Sequence, residues 1–298
     1  MIISYKVLNK DKYSTVYDVL KQHFEVSARL LSKLKKYESI YLNGKNCNLK
    51  TPVNLSDTVS FSLDYYEDNS NISATQMDLN IIYEDDALLV LNKPPFMAIH
   101  PTSYHFNDTL SNGVKYYFDK LGLNKKIRPV NRLDRNTSGL VVFAKNEYVQ
   151  EALVRQMANG IFKKKYIGIV VGHLEKSNGT ISAPISRKEN SIIERKIDQS
   201  GFPSITHYFV LEKYHDYSLV EFILETGRTH QIRVHSQYIG HPLIGDSLYG
   251  SESPLINRQA LHSYYLSFIH PVNLRLLKLK SELPLDMKKL LTTSPYTK

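Results

Sequence analysis

The stretch Asn131-Arg132-Leu133-Asp134-Arg135-Asn136-Thr137-Ser138-Gly139, followed by the apolar run Leu140-Val141-Val142-Phe143-Ala144, decides how this chain is read. Its first half sets one carboxylate between two arginines, and its second half is a turn, closed by glycine, that feeds a strand. Flanking guanidinium groups favour the charged form of a carboxylate and draw phosphate to the same place, which suits an anionic nucleophile working on a polyanion. The same local pattern also serves as a structural ion pair beside a turn, so the surrounding segments have to decide.

Upstream, residues 81–91 contain the run Ala87-Leu88-Leu89-Val90-Leu91 and read as a strand that stops at Lys93-Pro94-Pro95. Downstream, Asn146 can cap a helix that turns Val149, Leu153 and Met157 inward and ends at Gly160. Residues 164–170 read as a strand with Lys164, Tyr166 and Gly168 on one face, and the bare Gly168 predicts open space beside the Tyr166 ring. A strand from Leu219 to Leu224 leads through Glu225-Thr226-Gly227-Arg228 into a helix that Thr229 can cap and Gly240-His241-Pro242 ends. Arg233 falls in the first turns of that helix, placed to reach a neighbouring loop. Strands and helices alternate here without the regular beat of a doubly wound parallel sheet, so the expected class is α+β.

The first part of the chain reads as a small unit of its own. Thr15 and Asp18 form a capping box for a helix presenting Val16, Val19 and Leu20, and Ser27 opens a second helix presenting Leu30, Leu31 and Leu34. Arg29, Lys33 and Lys36 share another face of the second helix. Asn43-Gly44 predicts a type I′ hairpin turn, and Val59, Phe61 and Leu63 alternate on a later strand. The polar stretch from Glu67 to Gln76 has little to bury and predicts a linker over residues 67–79. Residues 1–76 hold ten Lys and Arg against eight Asp and Glu, so any phosphate-binding surface there is a local stripe and not an overall bias.

Composition narrows the partners. A formal charge of +9 and a pI near 9.3 favour a polyanion through counterion release, with RNA, DNA and an anionic membrane surface all open on charge alone. Cys47 is the only cysteine, which excludes an internal disulfide and a thiolate-rich zinc or iron–sulfur site. His230 and His235 lie five residues apart, on opposite faces of a strand or about 140° apart around a helix, so they do not chelate one ion and no metal is expected. The amino end lacks the regions of a signal peptide, and the apolar run from Tyr166 to Gly172 is too short to cross a bilayer. No membrane partner is expected, and a cytoplasmic location is the default.

Taken together, these blocks resemble the RluA-type family of RNA pseudouridine synthases. The family's central pattern, His-Arg-Leu-Asp-Arg-x-Thr-Ser-Gly, is matched at residues 131–139 except that Asn131 stands in place of the His. Further matches are Tyr83-Glu84-Asp85-Asp86 with Asn92-Lys93-Pro94, the Lys-x-Tyr ending at Tyr166, Thr226-Gly227-Arg228-Thr229-His230-Gln231-Ile232-Arg233, Gly240-His241-Pro242 through Gly245-Asp246, Tyr249-Gly250, and Leu261-His262-Ser263 before His270-Pro271. The likeness covers roughly residues 80–285. It implies a catalytic domain over 80–298 with a large mixed, mainly antiparallel sheet. Residues 1–66 are similar to the S-four-type RNA-binding domain, a small α/β module.

What the resemblance implies is isomerisation of uridine in RNA, ribosomal RNA before transfer RNA, with the glycosidic C–N bond replaced by a C–C bond. Asp134 would be the essential aspartate, by covalent addition or by removing a sugar proton. Tyr166 would stack on the uracil and serve as a base for the C5 proton, Ile232 would share the base pocket with it, and Arg233 would pair with Asp134. The target nucleotide would be turned out of the stack, with Arg132 filling its place and Arg29, Lys33 and Lys36 contacting phosphates. Asn131 would alter local contacts to RNA. No redox change or group donor enters, and no glycine-rich phosphate loop is present, so no cofactor is expected.

Rival readings fare worse. An aspartyl-phosphate enzyme lacks its second acid, since Asn136 stands two residues on, and a serine hydrolase lacks the Gly-x-Ser-x-Gly elbow. A non-catalytic RNA-binding protein of the same fold would have lost Asp134, Tyr166 or Arg233, and all three are present.

Overall fold

Local signals place the first elements. β1 (Ile2–Lys6) leads to α1 (Val16–Asp18), opened by the Thr15–Asp18 capping box and continued by a wider π-type turn over Val19–His23. Ser27 caps α2 (Ala28–Lys36), which buries Leu30, Leu31 and Leu34. β2 (Ile40–Leu42) and β3 (Lys45–Asn46) form the expected hairpin, with Asn43 and Gly44 at φ of 51° and 78°. β4 (Thr58–Ser62) completes an antiparallel sheet of order β1-β4-β2-β3. The computed structural model describes residues 1–8 and 11–292.

The rest of the described chain builds one large sheet. β5 (Ile81–Glu84) and β6 (Leu88–Lys93) form a hairpin, followed by α3 (Leu110–Lys120), β7 (Ser138–Ala144) and α4 (Glu147–Ala158). After these come β8 (Lys163–Val171), β9 (Asn178–Ser182), a side hairpin of β10 (Ile185–Arg187) and β11 (Arg195–Ile197), β12 (Ile205–Lys213) and β13 (Tyr217–Leu224). α5 (Gln231–Tyr238), β14 (Leu261–Ile269), β15 (Leu276–Lys280) and α6 (Leu285–Leu290) are the last elements of the described residues. The sheet order is β5-β6-β7-β14-β8-β13-β12-β9, with β15 also on β14, and its one parallel pairing joins β14 to β7. The α+β class and the mixed, mainly antiparallel sheet read from the sequence are both present.

Every residue of β7 is buried, because both faces of the sheet are covered there. Val141 and Phe143 pack with Val114 and Phe118 of α3, while Leu140 and Val142 share a core with Val149 and Leu153 of α4. That second core also contains Leu30, Leu34 and Phe61, so the amino-terminal unit and the sheet bury one continuous apolar cluster. The Phe61 and Tyr148 rings meet edge to face at 5.5 Å, and Ser27 Oγ donates to Glu151 at 2.7 Å.

Two residues of the polar stretch expected to have little to bury are nonetheless buried. Glu67 is buried against Arg128, whose Nη1 donates to it at 2.8 Å, and Ile72 is buried beside Leu89 and Val114. A polar stretch can be buried when its charge meets a partner, and that partner lies far away in sequence.

Candidate active site

The Asp134 loop is fixed from behind. Asn131 is buried, its Nδ2 donating to the Leu140 carbonyl at 3.0 Å and its Oδ1 accepting from the Val142 N–H at 2.8 Å. The residue that replaces the family's His is therefore a latch on β7. The Thr137 N–H donates to the Asp134 carbonyl at 3.1 Å and closes the turn. Gln259 donates to Thr137 Oγ1 at 3.1 Å, and Arg258 to the Asn136 carbonyl at 3.1 Å. Lys93 donates to the carbonyls of Pro94, Met97 and Arg135 at 2.8, 2.8 and 3.0 Å. Burial, with Arg258 nearby, pushes its ammonium down to about 7. Gly139 is forced by its neighbour, since at φ 116° a Cβ would sit 2.2 Å from the Ser263 carbonyl oxygen.

Arg233 reaches the loop from α5. Its Nε and Nη2 fork onto Asp246 at 2.8 Å each, and its Nη1 donates to Asp134 Oδ2 at 3.2 Å. Burial opposes the charge of Arg233, but the two carboxylates outweigh it and raise its affinity for the proton. The expected pair with Asp134 is present, and Asp246, which aims it, is the partner that sequence reading missed. Among the described residues the ion pair at Asp134 is made by Arg233 and not by the flanking Arg132 or Arg135, a correction to the sequence argument.

The start of α5 also differs from expectation. Thr229 makes no cap; His230 sits there at φ 58°, and Gln231 Oε1 accepts from the Arg228 N–H at 2.9 Å and from Thr226 Oγ1 at 2.8 Å. His230 points Nε2 to within 3.8 Å of Asp134 Oδ2, with Nδ1 2.9 Å from the Tyr249 hydroxyl. The Tyr249 oxygen also accepts from the Arg195 N–H at 2.7 Å. Burial lowers the His230 pKa. His235 turns elsewhere, bonded to Thr206 and the Ala183 carbonyl.

Tyr166 and Ile232 are both buried in the wall of a pocket that Asp134 also lines. Leu224 and Leu261 add apolar wall, and Arg132, Arg228 and His230 are polar lining. Burial, with the Asp134 charge adding to it, pushes the Tyr166 phenol above its ordinary value, so the resting ring is neutral. The open space predicted at Gly168 is absent as well, for Phe222 and Leu243 fill it, each 2.8 Å from where a Cβ would stand.

Of the amino-terminal stripe, Arg29 and Lys36 are exposed, but Lys33 points inward. Its ammonium lies 2.7 Å from Glu147 and 3.5 Å from Glu67, so it ties the unit to the sheet and its expected phosphate contact is corrected.

Known proteins share this architecture. The family model described as RNA pseudouridylate synthase matches residues 87–238. The RNA pseudouridine synthase YjbO of Bacillus subtilis is 38% identical over 267 residues, 89% of this chain and 94% of that protein. Ribosomal large subunit pseudouridine synthase D of Nitrosomonas europaea is 39% identical over 76% of this chain and 68% of its own length. The solved structure of human RNA pseudouridylate synthase domain containing 1 superposes with a TM-score of 0.61 at 29% identity, covering 74% of this chain and 89% of that one. Sequence and fold agree, and the chain belongs to the RNA pseudouridylate synthase family, as an enzyme of that class.

Proposed function

We propose that this enzyme converts uridines of ribosomal RNA, turned out of the stack into the Asp134 pocket, to pseudouridine, and that it works in the cytoplasm. In the reaction the N1–C1′ bond breaks, C5–C1′ forms, C5 gives up a proton and N1 gains one, so atoms balance without a donor. Asp134 acts on the sugar or base. Tyr166 and Ile232 hold the uracil, and Arg233 is a positioning residue. Arg132 lies at the mouth to take the place of the departed base, and exposed Arg29 and Lys36 meet phosphates further away. The observation that carries this reading is one carboxylate under a buried tyrosine, aimed by an arginine that a second carboxylate holds by two bonds. The ribosomal substrate rests on relatives named for the large ribosomal subunit.

Asp134→Asn keeps the size of the side chain and loses its charge, so a folded variant is expected to bind RNA and form no pseudouridine in single-turnover assays. Appreciable turnover would end the mechanism. A chemical map of pseudouridine in cells with and without the protein tests the substrate, and loss confined to transfer RNA would move it there.

A further inference from the structure

Arg228 belongs to two cavities. On one side it lines the Asp134 pocket, and on the other it walls, with Arg187, Arg195 and Phe202, a neighbouring open cleft. Arg187 and Arg195 stand directly opposite each other across β10 and β11, where like charges repel. The carboxylates of this hairpin do not relieve them. Lys188 takes Glu194, Lys196 takes Glu189 and Asp198, and Arg195 donates to the carbonyls of Ile193 and Glu194. The cleft thus carries positive charge that an anion would neutralise.

The same wall holds an aromatic ring in water. Phe202 is 68% exposed, and its backbone is paired to Ile185. The Arg228 guanidinium lies 5.3 Å from the ring centre and is tied by Nε to the Pro203 carbonyl at 3.3 Å. A fixed aromatic face among arginines is the chemistry that holds a single-stranded nucleotide, base on the ring and phosphate on the cations. We infer that this cleft receives the nucleotide adjoining the target uridine, its base stacked on Phe202 and its phosphate between Arg187 and Arg228. The assignment rests on the reading of the pocket as the site of a turned-out uridine.

The test uses the full chain and fluorescence anisotropy with two probes, a short uridine oligomer and the same oligomer with abasic residues on both sides of its central uridine. Phe202→Ala is expected to weaken binding of the intact oligomer about tenfold and to leave the abasic one unchanged, with Phe202→Tyr restoring affinity. Arg187→Gln is expected to lower the salt slope of both by about 0.7. The exposure of Phe202 and its backbone pairing leave the fold intact, which thermal unfolding verifies. Unchanged affinity in Phe202→Ala, an equal loss on both probes, or no binding of the intact oligomer by the wild type would each overturn the cleft. So would Phe202-dependent binding of an oligoglutamate peptide in its place. Pseudouridine formation in total RNA from cells lacking the protein, followed in parallel, separates the two readings. Conversion by the wild type with unchanged Phe202→Ala affinity removes the cleft alone, whereas no conversion removes the synthase reading and the cleft with it.

Discussion

Behind Asp134 the loop is held by Asn131, Lys93, Arg258 and Gln259, all buried and all bonded to protein groups. In front of it Arg132 and Arg228 are exposed, and Phe202, whose ring lies beside Arg228, is largely in solvent. The difference separates two tasks. Donors spent on backbone carbonyls fix where the carboxylate sits to a fraction of an ångström, while donors left in water stay available to a flexible substrate. Substitutions behind the loop should therefore cost stability or turnover, and those in front should cost affinity.

Among the groups that surround Asp134, the largest effect is expected at Arg233. Its removal leaves the buried Asp246 carboxylate without a cation, held only by the Leu248 and Tyr249 N–H groups, at about 3–5 kcal/mol of stability, and lowers single-turnover rate on the order of 10²–10³-fold. Arg233→Lys keeps the charge without the fork and should fall between. Wild-type rates in both variants would break the contrast at its strongest point.

His262 supports the same region, sharing hydrogen bonds with Ser138 and Ser281 at 2.9 Å each. Burial, with Arg258 adding to it, holds its pKa down at about 4 against 6.5 in the free side chain. The unfolded chain takes up the proton first, so this contribution is complete above about pH 6.5 and is lost as pH falls towards 4, up to about 3 kcal/mol. Urea unfolding at about pH 7 and pH 5 should show the wild type losing its advantage over His262→Gln in acid. A constant gap would remove His262 from the account.

Asn131→Ala strands the Leu140 carbonyl and the Val142 N–H inside the protein, and a loss of about 1–3 kcal/mol in chemical denaturation is expected, with RNA affinity of the folded protein unchanged. Arg132→Ala should move stability by no more than about 0.5 kcal/mol and lower the salt slope of RNA binding by about 0.7. A stability loss as large as that of Asn131→Ala would show that the rim is not free.

What the sequence revealed follows from how far each determinant reaches. Thr15, Ser27 and Asn146 cap their helices by bonds to residues three positions on, and all three were legible. The start of α5 was misread because Gln231 also donates to Ile205 and Thr206 on β12, contacts no local pattern contains. Lys33 looked like part of a solvated stripe because helical spacing says nothing about Glu147 on the facing helix. Gly168 was read as open space because Phe222 and Leu243 come from other elements. The pairing of Arg233 with Asp134 was legible through the family likeness, whereas the latch at Asn131 was not, since its partners depend on how the chain returns along β7.

The shared core has a consequence for the order in which the protein is made. Leu30, Leu34 and Phe61 leave the ribosome early, yet the cluster they join also needs Val149 and Leu153 of α4 and Phe268 of β14, some two hundred residues later. At about 5–20 residues per second the wait is on the order of ten seconds or more, with one apolar face of the small unit uncovered. The contacts that weld the finished enzyme into one body thus make its nascent chain a client for whatever shields apolar surface during translation, and the opening seventy residues bear that exposure first.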